Sequence, residues 1–146
     1  MSAWKPTISP TTVQVVLIIS DRVDVPMPWE ASFQEKGFTT IRETPENALS
    51  ACRVVNPALT LIDTNMSHEK RLAFCAQLRN VASGPILLLV SNYDGNQMSD
   101  IYNLGVDECL LKPMSPAFLV VKAVSWLLRR RWLEYDSNLP QTYTNL

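Results

Sequence analysis

Short apolar runs alternate with longer mixed stretches along most of the chain. The runs are rich in Val, Ile and Leu and are too short for helices of ordinary length, so they predict strands that are buried on both faces of a parallel sheet. The predicted strands cover residues 13–20, 38–43, 59–62, 85–90 and 108–111.

Proline, glycine and capping residues bound the helices that we predict between these strands. Pro28 and Pro45 suit the first turn of a helix, where a backbone N–H is not needed, and Gly37 suits a left-handed helix end. Thr44 and Ser115 stand in the capping position before a proline. The predicted helices cover 28–37, 45–55, 70–81, 98–104 and 116–132, with a loop over 92–97.

Five strands that alternate with five helices predict a doubly wound α/β fold, a five-stranded parallel sheet between two helical layers. Each crossover between parallel strands must be right-handed, and each face of the sheet needs a helical cover. We expect a flexible N-terminal arm over 1–12, one folded domain over 13–132, and a tail or the beginning of an interdomain linker over 133–146.

Composition narrows the class of protein. The chain has 146 residues, 47% of them apolar, which is enough for one domain with a substantial core. A formal net charge of −1 gives no general attraction to nucleic acid, so we expect no direct nucleic-acid binding. Three cysteines without metal-type spacing favour a reducing cytoplasm, and the N-terminus resembles neither a signal peptide nor a membrane span.

Four of the predicted strands are followed by, or end at, a polar residue that could carry chemistry. These residues are Asp21, Asp63, Ser91 and Lys112. Because ligands of such sheets bind beyond the carboxyl ends of the strands, we expect two carboxylates, a hydroxyl and an ammonium at one edge. That combination suits a divalent cation and a phosphoryl group. The alternative for each aspartate is a simple helix cap.

Across residues 13–131 the chain resembles the receiver domain of two-component response regulators. The resemblance is carried by LIDTNM, by ILLLVSN and by LGVDECLLKPMSPAFLVVKAVSWLLRR, of which the last, with Lys-Pro after an apolar strand, is the most specific. It implies a flavodoxin-like, receiver-type three-layer sandwich. It also implies a Mg²⁺-dependent signalling protein that takes a phosphoryl group from a sensor histidine kinase.

The resemblance assigns a role to each candidate residue. Asp63 matches the phosphoacceptor, and Asp21 matches an acidic Mg²⁺ ligand. Asn65 would bind the metal through its backbone carbonyl, and Asp63 would also be a metal ligand. Ser91 matches the hydroxyl residue that turns toward the phosphoryl group, and Lys112 matches the lysine that pairs with a phosphoryl oxygen.

The chain departs from the family pattern at four positions near these residues. Ser20 stands where receivers usually have a second acid, so we expect weaker Mg²⁺ binding than is usual for the family. Asn92 replaces a small residue and could crowd the phosphoryl entrance, and Cys109 replaces an aromatic switch residue. Ser67 replaces a proline and leaves its loop less rigid. A phosphate-independent pseudo-receiver that acts as an interaction module is therefore the main alternative.

Several other features have weaker implications. His68 is predicted to be a solvated loop residue. Arg129, Arg130 and Arg131 are expected to complement a helix dipole or to form a small basic patch. We expect one of the two tryptophans of this helix, Trp126 and Trp132, in the core and the other on a partner surface.

The polar tail is typical of the start of a linker to an output domain in a longer transcription regulator, and a lone receiver is the alternative. The resemblance also suggests a homodimer through the fourth helix, fifth strand and fifth helix, although the acidic residue expected early in the last helix is missing around Ala117 and Phe118. A flavin carrier is disfavoured because the DRVDVPMP loop lacks the Ser, Thr and Gly content that cradles phosphate.

Overall fold

The computed structural model describes the backbone of residues 14–137 and the side chains of residues 14–129. Strands and helices alternate throughout. The strands are β1 (Val15–Ser20), β2 (Thr39–Glu43), β3 (Leu59–Asp63), β4 (Ile86–Val90) and β5 (Glu108–Leu111). The helices are α1 (Pro28–Glu35), α2 (Pro45–Val55), α3 (His68–Val81), α4 (Gly95–Asn103) and α5 (Pro116–Ser137).

The five strands form one parallel sheet in the order β2-β1-β3-β4-β5. This is the doubly wound, flavodoxin-like arrangement that the alternation predicted, and the fold class is confirmed. The chain reverses its direction of travel across the sheet after β2, so the carboxyl ends of β1 and β3 lie side by side. Ligands of such folds bind at this place.

Alternate residues of each strand enter two separate apolar layers, because successive side chains of a strand point to opposite faces. On one face, Leu17 and Ile19 pack with residues of α2, α3 and α4. On the other face, Val16 and Ile18 pack with residues of α1 and α5. Each fully buried Leu or Ile contributes about 1.5–3 kcal/mol through removal of its apolar surface from water, so these layers dominate the stability of the fold.

The ends of the first two helices follow the local signals in the sequence. Gly37, just beyond α1, has a φ of +89°, and Asn56, at the end of α2, has a φ of 49°. Both conformations are left-handed, and a following Pro57 prevents continuation of α2. Thr44 was predicted to cap α2, but its side chain makes no capping hydrogen bond. The rigid φ of Pro45 therefore marks that helix start.

Side-chain caps move two helix starts away from their predicted positions. The predicted loop over 92–97 is partly wrong, since Asp94 accepts hydrogen bonds from the N–H groups of Asn96 and Gln97 and α4 begins at Gly95. The hydroxyl of Ser67 accepts from the N–H of Lys70, and α3 begins at His68. Caps of this kind satisfy N–H groups that have no partner within the helix.

The last helix, α5, continues to Ser137, beyond the predicted end at 132. Its start agrees with prediction, because the hydroxyl of Ser115 accepts from the N–H of Phe118. The predicted arm over 1–12 and the end of the predicted tail, from 138, lie outside the described residues, as do the side chains of Arg130, Arg131 and Trp132. The domain boundaries stay predictions. Within the described part, no helix has both the length and the hydropathy to cross a membrane.

Candidate functional site

The four polar residues predicted to converge all lie at the carboxyl edge of the sheet. Asp63 is the last residue of β3, and its neighbour in the register is Ser20 at the end of β1. Asp21, Ser91 and Lys112 directly follow β1, β4 and β5. Since these four strands are adjacent in the sheet, the fold brings together side chains that are far apart in the sequence.

Asp63 and Lys112 form an ion pair at this edge. The ammonium Nζ of Lys112 donates to Oδ1 of Asp63 at 2.7 Å, and the two side chains are 29% and 11% exposed. The backbone N–H of Lys112 also donates to the carbonyl of Val90 at 2.8 Å, which extends the sheet pairing by one residue. A partly buried, charge-assisted hydrogen bond of this length is stronger than an ordinary surface pair. The ammonium is thereby held against the carboxylate.

Asp21 contacts the loop that follows Asp63. Its Oδ2 accepts a hydrogen bond from the backbone N–H of Asn65 at 2.7 Å. The contact joins residues 44 positions apart in the sequence. It involves the N–H of Asn65, whereas the resemblance assigned the carbonyl of that residue to a metal.

Ser91 and Asn92 are both exposed just beyond β4, which lies between β3 and β5. Their position leaves the edge open to solvent between Asp63 and the strand that precedes Lys112. A hydroxyl and an amide are therefore available to an incoming polar ligand.

Ser20, which replaces an acid of the family pattern, has a structural contact. The residue is 2% exposed, and its hydroxyl accepts from the N–H of Arg22 at 3.1 Å. Ser20 thus supports the loop that carries Asp21. Next to Asp63, the buried hydroxyl of Thr64 has no hydrogen-bond partner within the described part of the chain, a feature that the sequence did not indicate.

The interpretation of His68 as a solvated loop residue is wrong. It is the first residue of α3, and its Nε2 lies 3.3 Å from Oδ2 of Asp100 on α4. Its Nδ1 is buried without a partner in the described region. Only the packing of α3 against α4 brings these residues together, so no local pattern could have indicated the contact.

Tyr102 of α4 contacts Cys109, the residue that stands where the family pattern has an aromatic side chain. Its phenolic oxygen accepts from the N–H of Cys109 at 2.9 Å, while the residue as a whole is 41% exposed. Burial raises the pKa of Tyr102 and also that of the Cys109 thiol. An aromatic ring is therefore present beside β5, although it belongs to another element.

The donors available to a cation at this edge are few. Within residues 14–129, no group of three or more His, Cys, Asp and Glu side chains is arranged to hold a metal ion. At the ends of the adjacent strands β1 and β3, the acidic side chains are those of Asp21 and Asp63. A hard cation that prefers oxygen and retains several waters fits such a sparse set better than Zn²⁺, which takes three or four protein ligands.

Arg42 of β2 was missed by sequence reasoning. Its guanidinium donates to Glu30 of α1 and to the carbonyls of Arg22 and Val25 in the loop that carries Asp21. An arginine within a short predicted strand was the available signal. Its partners become apparent only when β2 lies beside β1 and α1.

Comparison with known proteins gives one family. A family model described as the response regulator receiver domain matches residues 16–124. The chain is 27% identical over 128 residues to the probable transcriptional regulator ycf27 of Porphyridium aerugineum, covering 87% of this chain and 53% of that protein. It is 33% identical over 88 residues to the uncharacterized transcriptional regulatory protein YvcP of Bacillus subtilis, covering 60% of this chain and 36% of that protein.

Solved structures share the fold. A two-component response regulator from Clostridium difficile superposes with a TM-score of 0.70 at 24% sequence identity, covering 81% of this chain and 98% of that one. The chain spans about half the length, or less, of the curated relatives named above.

Proposed function

The chain belongs to the response regulator receiver family, and we propose that it accepts a phosphoryl group on Asp63 from a phosphohistidine of a sensor histidine kinase. The contact of 2.7 Å between Lys112 and Asp63 carries this proposal. A carboxylate held against an ammonium, next to the exposed residues Ser91 and Asn92, provides both a nucleophile and a cation for the transferred group.

In the proposed reaction, a carboxylate oxygen of Asp63 attacks the phosphorus atom and the N–P bond of the phosphohistidine breaks, with its electron pair returning to the imidazole. Lys112 neutralises charge on a phosphoryl oxygen, and the hydroxyl of Ser91 donates to another. Phosphoryl transfer depends mainly on positioning and on charge stabilisation, which these groups are suited to provide. Water later cleaves the acyl phosphate.

Mg²⁺ is the proposed cofactor, and the donor set fits it. Asp21 and Asp63 would hold the ion through carboxylate oxygens and Asn65 through its backbone carbonyl, and water would supply the remaining oxygen ligands. When bound, Mg²⁺ would supply further neutralisation of the phosphoryl oxygens. Since Ser20 contributes no carboxylate, we propose weaker Mg²⁺ binding than in receivers that have two acids there.

An output domain and a homodimer complete the proposal. The curated relatives are named as transcriptional regulators, and the chain spans only part of their length. We propose that a second copy binds through α4, β5 and α5, where Leu111, Phe118 and Val121 are exposed. Lys122 of this face is paired with Glu108 within the chain, which leaves apolar contact as the main source of affinity. Free thiols at Cys52, Cys75 and Cys109 favour a reducing compartment such as the cytoplasm.

The test is phosphorylation of the protein by acetyl phosphate with Mg²⁺, followed by intact mass spectrometry. We expect a mass increase of one phosphoryl group in the wild type and none in Asp63→Asn. Asp24→Asn, an exposed aspartate of the loop after β1, is the matched control and should behave as wild type. An unmodified wild type would contradict the proposal and favour a phosphate-independent interaction module.

A further inference from the structure

The loop between β1 and α1, residues 21–27, carries Asp21 but has little packing of its own. All of its residues before Met27 are exposed. The helix that follows has no side-chain cap, because Met27 makes no capping hydrogen bond. A loop with so few buried contacts would ordinarily open easily. Contacts from neighbouring elements must therefore hold the loop, and with it Asp21, in place.

Arg42 provides the missing restraint from the neighbouring strand. It pairs with Ile18 in the β1–β2 register, so its side chain lies on the face that α1 covers. Both Nε and Nη2 donate to Oε1 of Glu30, near the start of α1. Nη1 donates to the carbonyl of Val25 and, at 3.3 Å, to the carbonyl of Arg22. One guanidinium therefore joins a strand, a helix and two points of the loop.

The environment of this guanidinium makes the restraint effective. The side chain of Arg42 is 11% exposed, and that of Glu30 is 21% exposed. Water screens a partly buried, charge-assisted pair less than it screens a surface pair, and the planar fork of arginine can bond several acceptors at once. A lysine in this position has a single ammonium and cannot reproduce the pattern.

We propose that Arg42 is a positioning residue for Asp21, through which it sets the affinity of the site for Mg²⁺. The inference rests on the proposed function, because it takes Asp21 as a ligand of the metal. Arg42 holds the carbonyl of Arg22, the residue after Asp21. The hydroxyl of Ser20 holds the N–H of the same residue. Together they leave the carboxylate of Asp21 directed at the backbone of Asn65, its observed contact.

Arg79 offers a matched control for a purely structural role. It also makes four hydrogen bonds, to the carbonyls of Ala82, Gly84 and Gly105 and to the carboxylate of Asp107. Its partners precede β4 and β5, so it lies at the opposite edge of the sheet. Loss of either arginine should lower the stability of the fold. Only loss of Arg42 should change the binding of Mg²⁺.

The experiment compares Arg42→Met with Arg79→Met and the wild type in Mg²⁺ titrations, followed by the backbone amide NMR resonances of Asp21 and Asn65. We expect the Mg²⁺ dissociation constant of Arg42→Met to rise about tenfold, as for other residues that orient metal ligands. Hydrogen exchange of residues 21–27 should accelerate in the same variant. Arg79→Met should keep the wild-type values of both.

Each of four outcomes would overturn the inference. A folded Arg42→Met with wild-type Mg²⁺ affinity excludes the positioning role, while leaving phosphorylation of Asp63 intact as a function. An equal loss of affinity in Arg79→Met shows that general destabilisation is the cause. A wild type that does not respond to Mg²⁺ contradicts both the inference and the proposed cofactor. If Arg42→Met does not fold, Glu30→Gln replaces it and should weaken Mg²⁺ binding in the same direction; an unchanged affinity there overturns the inference.

Discussion

Nζ of Lys112 lies 2.7 Å from Oδ1 of Asp63. Lys112 follows β5 and Asp63 ends β3, and β4 lies between these two strands in the sheet. The lysine side chain therefore spans the end of β4, where Ser91 is exposed. An ammonium, a carboxylate and a hydroxyl consequently share one stretch of sheet edge.

Replacement of Lys112 by Met should slow the phosphorylation of Asp63 by acetyl phosphate about 100-fold or more, by analogy with the loss of a single charge-stabilising donor. The variant retains the apolar stem and loses only the cation. A time course of intact mass at saturating Mg²⁺ measures the rate. Lys122→Met is the matched control, since Lys122 pairs with Glu108 away from this edge. Equal rates in the wild type and Lys112→Met would exclude a role for this ammonium.

Restoration of an acid at position 20 should strengthen Mg²⁺ binding. Ser20 faces Asp63 in the β1–β3 register. A carboxylate there would add an oxygen donor, and an increase in affinity of about tenfold is expected. Without Mg²⁺, Ser20→Asp should be less stable than the wild type, because like charges close together repel.

The measurements for Ser20→Asp are an Mg²⁺ titration and urea unfolding with and without the metal. Ser99→Asp adds the same charge at an exposed position of α4 and serves as control. Sub-millimolar affinity in the wild type, or no gain in Ser20→Asp, would show that the missing acid does not limit binding.

Alkaline pH should destabilise the fold through Cys75. Burial raises the pKa of this thiol from 9.0 to about 11. The folded state therefore retains the proton where the unfolded state has lost it, and the free energy of unfolding falls as pH rises through this interval. The contribution lost is at most about 2–3 kcal/mol.

Urea unfolding from about pH 8 to about pH 10.5 tests this dependence. Cys75→Val removes the thiol and should show a shallower decline than the wild type. Part of the decline remains in the variant, since burial also raises the pKa values of Cys52 and Tyr102. Parallel curves for the two proteins would contradict a linked titration of Cys75.

Val121 of α5 tests the proposed dimer surface. The residue is 64% exposed, and Val121→Asp introduces a charge where a second copy would bury apolar surface. We expect the variant to remain monomeric after treatment with beryllofluoride and Mg²⁺, conditions under which the wild type should dimerise. Analytical ultracentrifugation measures the change. Val54→Asp on α2 is the control, because Val54 is also exposed but lies on another face.

Much of the fold could be predicted because its determinants are local. The apolar runs identified the strands, and prolines at the first turn identified the starts of α1, α2 and α5. The predicted start of α4 was wrong by three residues, because its side-chain cap, Asp94, stands among other polar residues. A polar stretch contains several residues able to cap, and the sequence does not reveal which one does.

The candidate site likewise has features that the local sequence determines and contacts that depend on the tertiary structure. Hydrophobic periodicity by itself determined that Asp21, Asp63, Ser91 and Lys112 follow or end strands, because a buried strand must end where its apolar run ends. Only the tertiary structure decided that Lys112 contacts Asp63, that Arg42 holds the loop of Asp21, and that His68 meets Asp100. Those contacts depend on strand order and helix packing, which bring together residues that no local pattern connects.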